Sequence, residues 1–247
     1  MPTLLEIRSL EADLYQASFD LGLTVVHLFV IVDPRDGVIV IDTSAPTGGG
    51  EENSVTQVVR QLGRRPEDVR HVLLTHAHPD HVGNVGEFQR QSGAHVWMNP
   101  SGANLLESDP PTLLPGKIRG GGLRTPAAVL PAKVQHRITG TQVIDLAGGI
   151  EVINTPGHSS DHQSFLWRRH GGVLFVGDAV ANENGQLGFA PFYDDLEEER
   201  RSVERLLDYP FEKMAFGHGD YIAQGAKETL LRWRREADRA RVNAVDG

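Results

Sequence analysis

Residues 76–81 are unusually dense in side chains that bind metal ions. The segment contains, in order, His76, Ala77, His78, Pro79, Asp80 and His81. An apolar run of strand type precedes it, so His76 and His78 lie two positions apart in extended chain and are predicted to point the same way. Asp80 and His81 open an apolar-periodic stretch, which predicts a helix N-terminus. One of these residues alone fits a helix cap or a solvated loop, but four together predict a catalytic metal site.

Three later segments share one layout, in which an apolar strand ends in a polar residue flanked by glycine. The polar residues are His158, Asp178 and His218. Strand ends are where rigid scaffolds present functional side chains, and glycine allows a ligand to approach the backbone closely. With residues 76–81 they make five histidines and two aspartates, enough to bind two cations and leave positions for water.

The composition restricts the kind of site and partner. The chain has 247 residues with 39% hydrophobic and 23% charged residues, which is typical of an ordinary globular protein. It has no cysteine, so a metal must be bound by nitrogen and oxygen ligands. The formal charge of −9 argues against nucleic acid as a partner. The expected partner is a small-molecule substrate.

The sequence predicts no association with a membrane. No run of about 18 apolar residues is present, and the first residues lack a basic segment followed by an apolar one. We therefore expect a cytoplasmic protein. The sequence leaves the oligomeric state open, a homodimer included.

The pattern of apolar residues predicts two similar halves. In the first, hairpins at residues 24–41 precede a helix at 54–62, a strand at 71–75, a helix from residue 81 and a strand at 95–98. In the second, strands at residues 143–146, 150–153, 164–168 and 173–176 precede a helix capped by Asp195, a strand at 213–216 and a last helix. Between the halves, residues 100–131 are rich in Gly and Pro and are interpreted as an inserted loop, helical only near residues 103–106. We expect one domain, residues 1–247, in which two packed sheets have helices outside.

The order of the candidate ligands resembles the signature of the metallo-β-lactamase superfamily, in its glyoxalase II and lactonase-like branch but without a close match to either. The matching residues are His76, His78, Asp80, His81, His158, Asp178 and His218, with Asp42 after the strand at residues 38–41. The resemblance implies an α/β (α+β) fold, a four-layer αββα sandwich. It also implies that His76, His78 and His158 bind one metal, that Asp80, His81 and His218 bind the other, that Asp178 bridges them, and that Asp42 supports them from behind.

The implied chemistry is hydrolysis assisted by two metals. Two cations about 3.5 to 4 Å apart share a water, lower its pKa, and hold the hydroxide against a polarised carbonyl or phosphoryl group. We expect Asp80 to be catalytic, either orienting the nucleophile or passing a proton to the leaving group. The favoured substrate is a small ester, thioester or lactone, and the favoured cofactors are two Zn²⁺ ions, with Mn²⁺ or Fe²⁺ as alternatives.

Two other activities stay open at this stage. One is an oxidoreductase with a single iron, similar to a persulfide dioxygenase, and the other is a phosphodiesterase or nuclease. Quorum-quenching lactonases have a tyrosine where Ala181 stands, and the glutathione-dependent relatives have a Gly-Cys-Gly-type stretch after the bridging aspartate that this chain lacks.

Some residues near the ligands have no assigned role. The loop after Asp178 ends in Phe189, Phe192 and Tyr193, which form either one wall of an apolar substrate pocket or part of the core. The Gly-rich residues 116–122 are either a lid or a surface loop. Asp161 and His162 either support the ligands or face the substrate.

Overall fold

The larger of two sheets has seven strands. A computed structural model describes residues 1–48, 52–109, 111 and 129–245. The strands lie in the order β1 (Thr3–Glu11), β2 (Leu14–Asp20), β3 (Val25–Asp33), β4 (Gly37–Ile41), β5 (Val69–Leu73), β6 (His95–Met98) and β7 (His136–Arg137). β1 to β4 are antiparallel, as the predicted hairpins require, and β4 to β7 are parallel.

The second sheet has five strands. Their order is β14 (Lys213–Phe216), β11 (Val173–Gly177), β10 (Gln163–Trp167), β9 (Ile150–Asn154) and β8 (Gln142–Ile144). β11 and β14 are parallel, and the other neighbours are antiparallel. β12 (Ala181–Glu183) and β13 (Gln186–Gly188) form a separate small hairpin between β11 and the next helix.

Helices cover the outer face of each sheet. They are α1 (Ser54–Gln61), α2 (Pro79–Val82), α3 (Val85–Ser92), α4 (Pro100–Glu107), α5 (Leu196–Leu206) and α6 (Ala226–Val245). Val55 of α1 and Phe88 of α3 belong to one buried cluster with Val40 of the first sheet. Val203 of α5 belongs to another with Leu174 of the second sheet.

A third buried cluster lies between the two sheets. On β3, Val26, Leu28 and Val30 face the first helix layer, whereas the alternate residues Phe29 and Ile31 face the second sheet. A strand buried on both faces must be apolar at nearly every position, which explains the continuous run in the sequence. Three cores separate four layers, so the predicted αββα sandwich is confirmed.

The single helix predicted from His81 is instead two helices. The carbonyl of His81 accepts the Thr43 N–H at 2.7 Å, and the Asn84 side chain donates to the carbonyls of Thr43 and Ala45, both at 2.7 Å. A Cβ on Gly83 would lie 2.3 Å from the nitrogen of Pro46. These contacts with the loop after β4 interrupt the helix between α2 and α3, and periodicity along the chain does not reveal them.

Several other boundaries agree with the sequence, but some strands, including the short β7, β12 and β13, were not predicted. Asp195 caps α5, since its side chain accepts the N–H groups of Glu197 and Glu198 at 3.0 Å. The pattern of apolar residues did not predict β1 or β2; Leu5 on β1 is exposed and Gln16 and Ser18 on β2 are buried, so polarity there does not report which face is covered. Of the inserted loop at residues 100–131, α4 is confirmed near residues 103–106. Residues 110 and 112–128, including the Gly-rich segment 116–122 interpreted as either a lid or a surface loop, lie outside the described residues.

Candidate metal centre

Strand ends at one edge of the sandwich bring the candidate ligands together. The segment with His76 and His78 follows β5, and Asp42 follows β4, the parallel neighbour of β5. From the second sheet, the ligands follow β9, β11 and β14; they are His158, Asp178 and His218. Parallel strands end at the same edge, so residues far apart in sequence meet there.

The seven predicted ligands form two adjacent groups. In the first, one atom from each of four buried side chains lies within 4.8 Å of the others; the side chains are those of His76, His78, His158 and Asp178. The second group meets the same limit and consists of Asp80, His81 and His218. The structure therefore brings together every residue that the sequence predicted as a ligand.

Asp178 lies between the two groups. Its Oδ2 is 3.5 Å from His158 Nε2 and 3.4 Å from His218 Nε2. Its Oδ1 is 3.3 Å from His81 Nε2. One carboxylate thus faces imidazoles of both groups, which is the position that a bridging ligand requires.

The polar atoms at the centre fit divalent cations. Within the described part of the chain, His76 Nε2, His81 Nε2 and Asp178 Oδ1 are buried and make no hydrogen bond of good geometry, although the last two face each other at 3.3 Å. A buried polar atom left unsatisfied costs about 1–3 kcal/mol. Imidazole nitrogen and carboxylate oxygen are ligands for Zn²⁺, and bonds to a cation would satisfy all three atoms.

The outer nitrogens of three histidines are held so that Nε2 faces the centre. His81 Nδ1 donates to Asp42 Oδ2 at 2.9 Å, and His218 Nδ1 donates to the carbonyl of Val25 at 2.7 Å. Thr75 Oγ1 donates to Asp42 Oδ2 at 2.8 Å and accepts from His76 Nδ1 at 3.0 Å. A proton on Nδ1 leaves the Nε2 lone pair free for a metal.

Asp42 adopts a backbone conformation that few residues tolerate. Its φ is 59°, in the left-handed region, and its Oδ1 also accepts the Thr75 N–H at 2.9 Å. Aspartate and asparagine are among the side chains that enter this region at low cost. Asp42 can therefore orient its carboxylate toward both groups at a lower backbone cost than a bulkier residue would have at this φ.

The two groups differ in their charge. Burial, followed by the neighbouring imidazoles, lowers the pKa of His76 and His158 well below the usual value, so both are neutral. Burial also opposes protonation of His218, but the charge of Asp178 outweighs it and raises the pKa of His218 to about 10. The pKa of His81 is raised well above its usual value for the same reasons. Without a metal, the second group thus holds protons that a cation must displace.

Residues 21–218 match the family model described as the metallo-beta-lactamase superfamily. The match covers most of the chain and includes all seven candidate ligands. The chain belongs to the metallo-beta-lactamase superfamily. This membership agrees with the four layers and with the position of the ligands at one edge of the sheets.

Relatives from the superfamily differ in name and in length. The chain is 31% identical over 224 residues to the uncharacterized protein YobT of Bacillus subtilis, covering 84% of this chain and 89% of YobT. It is 27% identical over 205 residues to hydroxyacylglutathione hydrolase GloC of Haemophilus influenzae, covering 81% of this chain and 88% of GloC. Against the Drosophila beta-lactamase-like protein 2 homolog, the chain spans only 56% of the relative's length.

A solved structure from the superfamily has the same fold. MEM-A1, a subclass B3 metallo-beta-lactamase isolated from a soil metagenome library, superimposes with a TM-score of 0.68 at 21% identity. The alignment covers 98% of each chain. At this identity, the similarity establishes the fold and nothing finer.

Asp80 occupies the exposed side of the second group. Its side chain is 20% exposed, and its Oδ2 lies 3.4 Å from His218 Nε2. Burial opposes ionisation of Asp80, but the hydrogen bond and charge of His218 lower its pKa below the usual range. An ionised carboxylate at this position can bind a cation or accept a hydrogen bond, but it holds a proton poorly at neutral pH.

The three residues predicted to form a substrate pocket lie in different surroundings. Phe189 is half-buried and packs against Trp233 of α6, with ring centroids 4.9 Å apart, beside the buried cluster beneath the outer helices. Phe192 and Tyr193 are half-buried, and the next residue, Asp194, donates its N–H to the carbonyl of His158 at 3.1 Å. Phe189 thus packs at the edge of a buried cluster, whereas Tyr193 directly precedes a residue that contacts His158.

Several contacts behind the ligands were not predicted from the sequence. The sequence indicated no role for Thr75 and left those of Asp161 and His162 open. Asp161 Oδ2 accepts the N–H of Ala77 at 2.8 Å, and His162 Nε2 accepts the N–H of Asp178 at 3.0 Å. The Asp161–Ala77 contact joins residues 84 positions apart, which no local pattern predicts.

Proposed function

We propose that this protein is a hydrolase that uses two divalent cations, best matched by Zn²⁺, to cleave a small ester, thioester or lactone. The observation that carries the proposal is the position of the Asp178 carboxylate between two groups of histidines, within 3.5 Å of His158, His81 and His218. Membership of the metallo-beta-lactamase superfamily and the hydrolase name of GloC support the reaction class.

Each residue in the proposed centre has a distinct task. One cation would be held by His76, His78 and His158, and the other would be held by Asp80, His81 and His218. Asp178 would contribute to both sites. When bound, such cations make a water acidic enough to attack at neutral pH and polarise the substrate carbonyl. Asp80, at the partly exposed side of the second group, would orient the attacking water by accepting a hydrogen bond.

An exposed apolar side chain near the centre supports an acyl substrate. Leu23, in the turn between β2 and β3, is 94% exposed. The next residue, Thr24, contacts His218 Nδ1 through its hydroxyl at 3.2 Å. The turn that bears Leu23 therefore adjoins the second group, and we infer that this apolar side chain contacts the acyl part of a substrate. An acyl group on glutathione is a thioester, so the name of GloC is consistent with this class.

The proposal is tested by metal content and hydrolysis together. Protein purified without added metal is analysed for metal content and assayed on a panel of esters, thioesters and lactones. His78→Ala is the variant expected to lose bound metal. His95→Ala is the matched control, because His95 begins β6 and so lies at the opposite end of the parallel strands from the ligands. We expect about two equivalents of zinc or manganese, lost in His78→Ala and kept in His95→Ala, together with hydrolysis of at least one class.

Other results would contradict the proposal. About one equivalent of iron with oxygen uptake would favour the oxidoreductase, in which the first group alone binds metal. Cleavage of a phosphodiester, without cleavage of any ester, thioester or lactone, would favour the phosphodiesterase or nuclease. Absence of bound metal even after loading would overturn the assignment of the centre.

A further inference from the structure

Three consecutive buried residues, 161–163, contact the backbone of the segments that bear the ligands. Asp161 accepts the N–H of Ala77, and His162 accepts the N–H of Asp178. Gln163 donates its backbone N–H to the Thr75 carbonyl at 2.9 Å and its side-chain amide to the Leu74 carbonyl at 3.1 Å. These residues lead from His158 into β10 of the second sheet, so the contacts with residues 74–77 join the two sheets behind the centre.

Asp161 is a buried carboxylate with a specific pair of donors. It is 2% exposed, and its two oxygens accept the Ala77 N–H at 2.8 Å and the Ser159 hydroxyl at 2.7 Å. Gly102 of α4 leaves the space that Asp161 Oδ2 occupies, since a Cβ there would lie 2.3 Å from that oxygen. Burying a carboxylate is costly, so a packing role alone explains this residue poorly.

The target of Asp161 is the peptide between two candidate ligands. Ala77 separates His76 from His78, and a rotation of its peptide would turn both imidazoles. A hydrogen bond from this N–H to a fixed carboxylate opposes such a rotation. Asp161 therefore acts on both ligands through the backbone that joins them.

His162 acts on the carboxylate that lies between the groups. Its Nδ1 donates to Thr155 Oγ1 at 2.8 Å, so Nε2 has a lone pair for the Asp178 N–H at 3.0 Å. The approach depends on Gly177, because a Cβ there would lie 2.6 Å from His162 Nε2. His162 is 1% exposed and thus held in one position.

We propose that Asp161 and His162 are positioning residues of the metal centre, which slow the loss of metal by fixing the peptides of Ala77 and Asp178. The inference rests on the proposed function, since it requires the centre to bind metal. It predicts an effect on retention of the cation that exceeds any effect on folding.

The experiment measures the rate at which a chromogenic chelator removes Zn²⁺ from the loaded full-length protein. Asp161→Ala removes both hydrogen bonds, whereas Asp161→Asn can keep them, with its oxygen toward Ala77 and its amide donating to Ser159. We expect Asp161→Ala to lose metal about 10- to 100-fold faster than the wild type and Asp161→Asn to lose it at nearly the wild-type rate. Retention by Asp161→Asn would show that the hydrogen bonds, and not the charge, carry the effect.

Asp33→Ala is the matched control for a structural effect. Asp33 is also a buried aspartate, 3% exposed, that accepts backbone N–H groups, here of Arg35 and Asp36 in the β3–β4 turn. We expect it to lower the unfolding temperature of the metal-free protein without faster metal loss. His162→Gln and His162→Leu form a second pair, in which only glutamine can offer an acceptor to Asp178, and they decide the question if Asp161→Ala does not fold.

The outcomes separate this inference from the proposed function. If the wild type binds no zinc, the proposed function fails. If the wild type binds zinc but the alanine and leucine variants release it no faster than Asp33→Ala, the inference is overturned and the proposed function stands. Equally fast release from Asp161→Ala and Asp161→Asn would overturn the positioning by hydrogen bonds.

Discussion

One carboxylate, that of Asp42, sets the protonation of histidines in both ligand groups. Its Oδ2 accepts a hydrogen bond from His81 Nδ1 and another from the Thr75 hydroxyl, which in turn accepts one from His76 Nδ1. The resemblance of the sequence to a family placed an acidic residue here, and the structure shows which atoms it contacts. The role of Thr75 could not be predicted, because it depends on which way a single hydroxyl faces in the folded chain.

Asp42→Asn is expected to impair metal binding while preserving the fold. Asparagine tolerates the φ of 59°, and its oxygen can still accept the Thr75 N–H. Its amide would then face the Nδ1 of His81, and that histidine would be driven to carry its proton on Nε2. We expect zinc affinity to fall about 10- to 100-fold, measured by chelator competition.

Asp145→Asn is the control for the loss of one negative charge. The Asp145 side chain is 88% exposed and pairs with Arg35 away from the centre. Zinc affinity equal to that of the wild type is expected for this variant. Equal affinities of Asp42→Asn and Asp145→Asn would contradict the role given to Asp42.

The raised pKa of His218 predicts how the stability of the metal-free protein depends on pH. The folded-state pKa of about 10 lies above the usual 6.5, because the charge of Asp178 outweighs burial. The stabilisation is therefore fully present below pH 6.5 and is lost as the pH rises toward 10. Urea unfolding of the chelated protein should show a free energy of unfolding that falls across this range. A fall just as steep in His218→Gln would contradict the assignment.

At the level of elements, the sequence was informative where a strand ends beside glycine. The ends of β9, β11 and β14 were each recognised from an apolar run followed by glycine and a polar residue. Tertiary contacts overrode the local pattern at Gly83 and Asn84, where the loop after β4 interrupts the predicted helix. Helical periodicity cannot register such a contact, because it depends on residues 39 to 41 positions away.

Gly217→Ala tests the need for close approach at the end of β14. A Cβ at this position would lie 2.1 Å from Asp178 Oδ1 and 2.8 Å from His81 Cε1. One or both ligands must move, and we expect at least one equivalent of metal to be lost on elemental analysis. Gly188→Ala is the matched control, since a Cβ there meets no atom within 4 Å. Full metal content in both variants would show that the strand end yields to the added methyl group.

For the whole molecule, the ligands come from both sheets. His76 and His78 follow a strand of the first sheet, whereas His158, Asp178 and His218 follow strands of the second. The order of strands and helices in the sequence was sufficient to predict two sheets with helices outside. The single domain, the cytoplasmic location and the absence of a nucleic-acid partner stay predictions. No helix in the described ranges is long and apolar enough to cross a membrane.

Removal of metal is expected to destabilise the whole fold. A cation that binds only the folded state, at a free concentration 100 times its Kd, stabilises that state by about 2.7 kcal/mol. Differential scanning calorimetry with and without a chelator should show a lower unfolding temperature after chelation, restored by zinc. The chelator has no such effect on His78→Ala if that variant binds no metal. An unchanged unfolding temperature in the wild type would contradict the proposed centre.

The position of Asp178 between the two groups has a thermodynamic consequence. In the proposed centre, a first cation bound to Asp178 would partly neutralise the charge of its carboxylate. That charge keeps His81 and His218 protonated, so the second cation would then displace protons from weaker bases. The same cation also repels the second one. The two affinities are thus linked, and by reciprocity each ion must alter the affinity for the other by the same factor. If the proposed centre binds two zinc ions, we expect a zinc titration to describe a single cooperative system and not two independent dissociation constants.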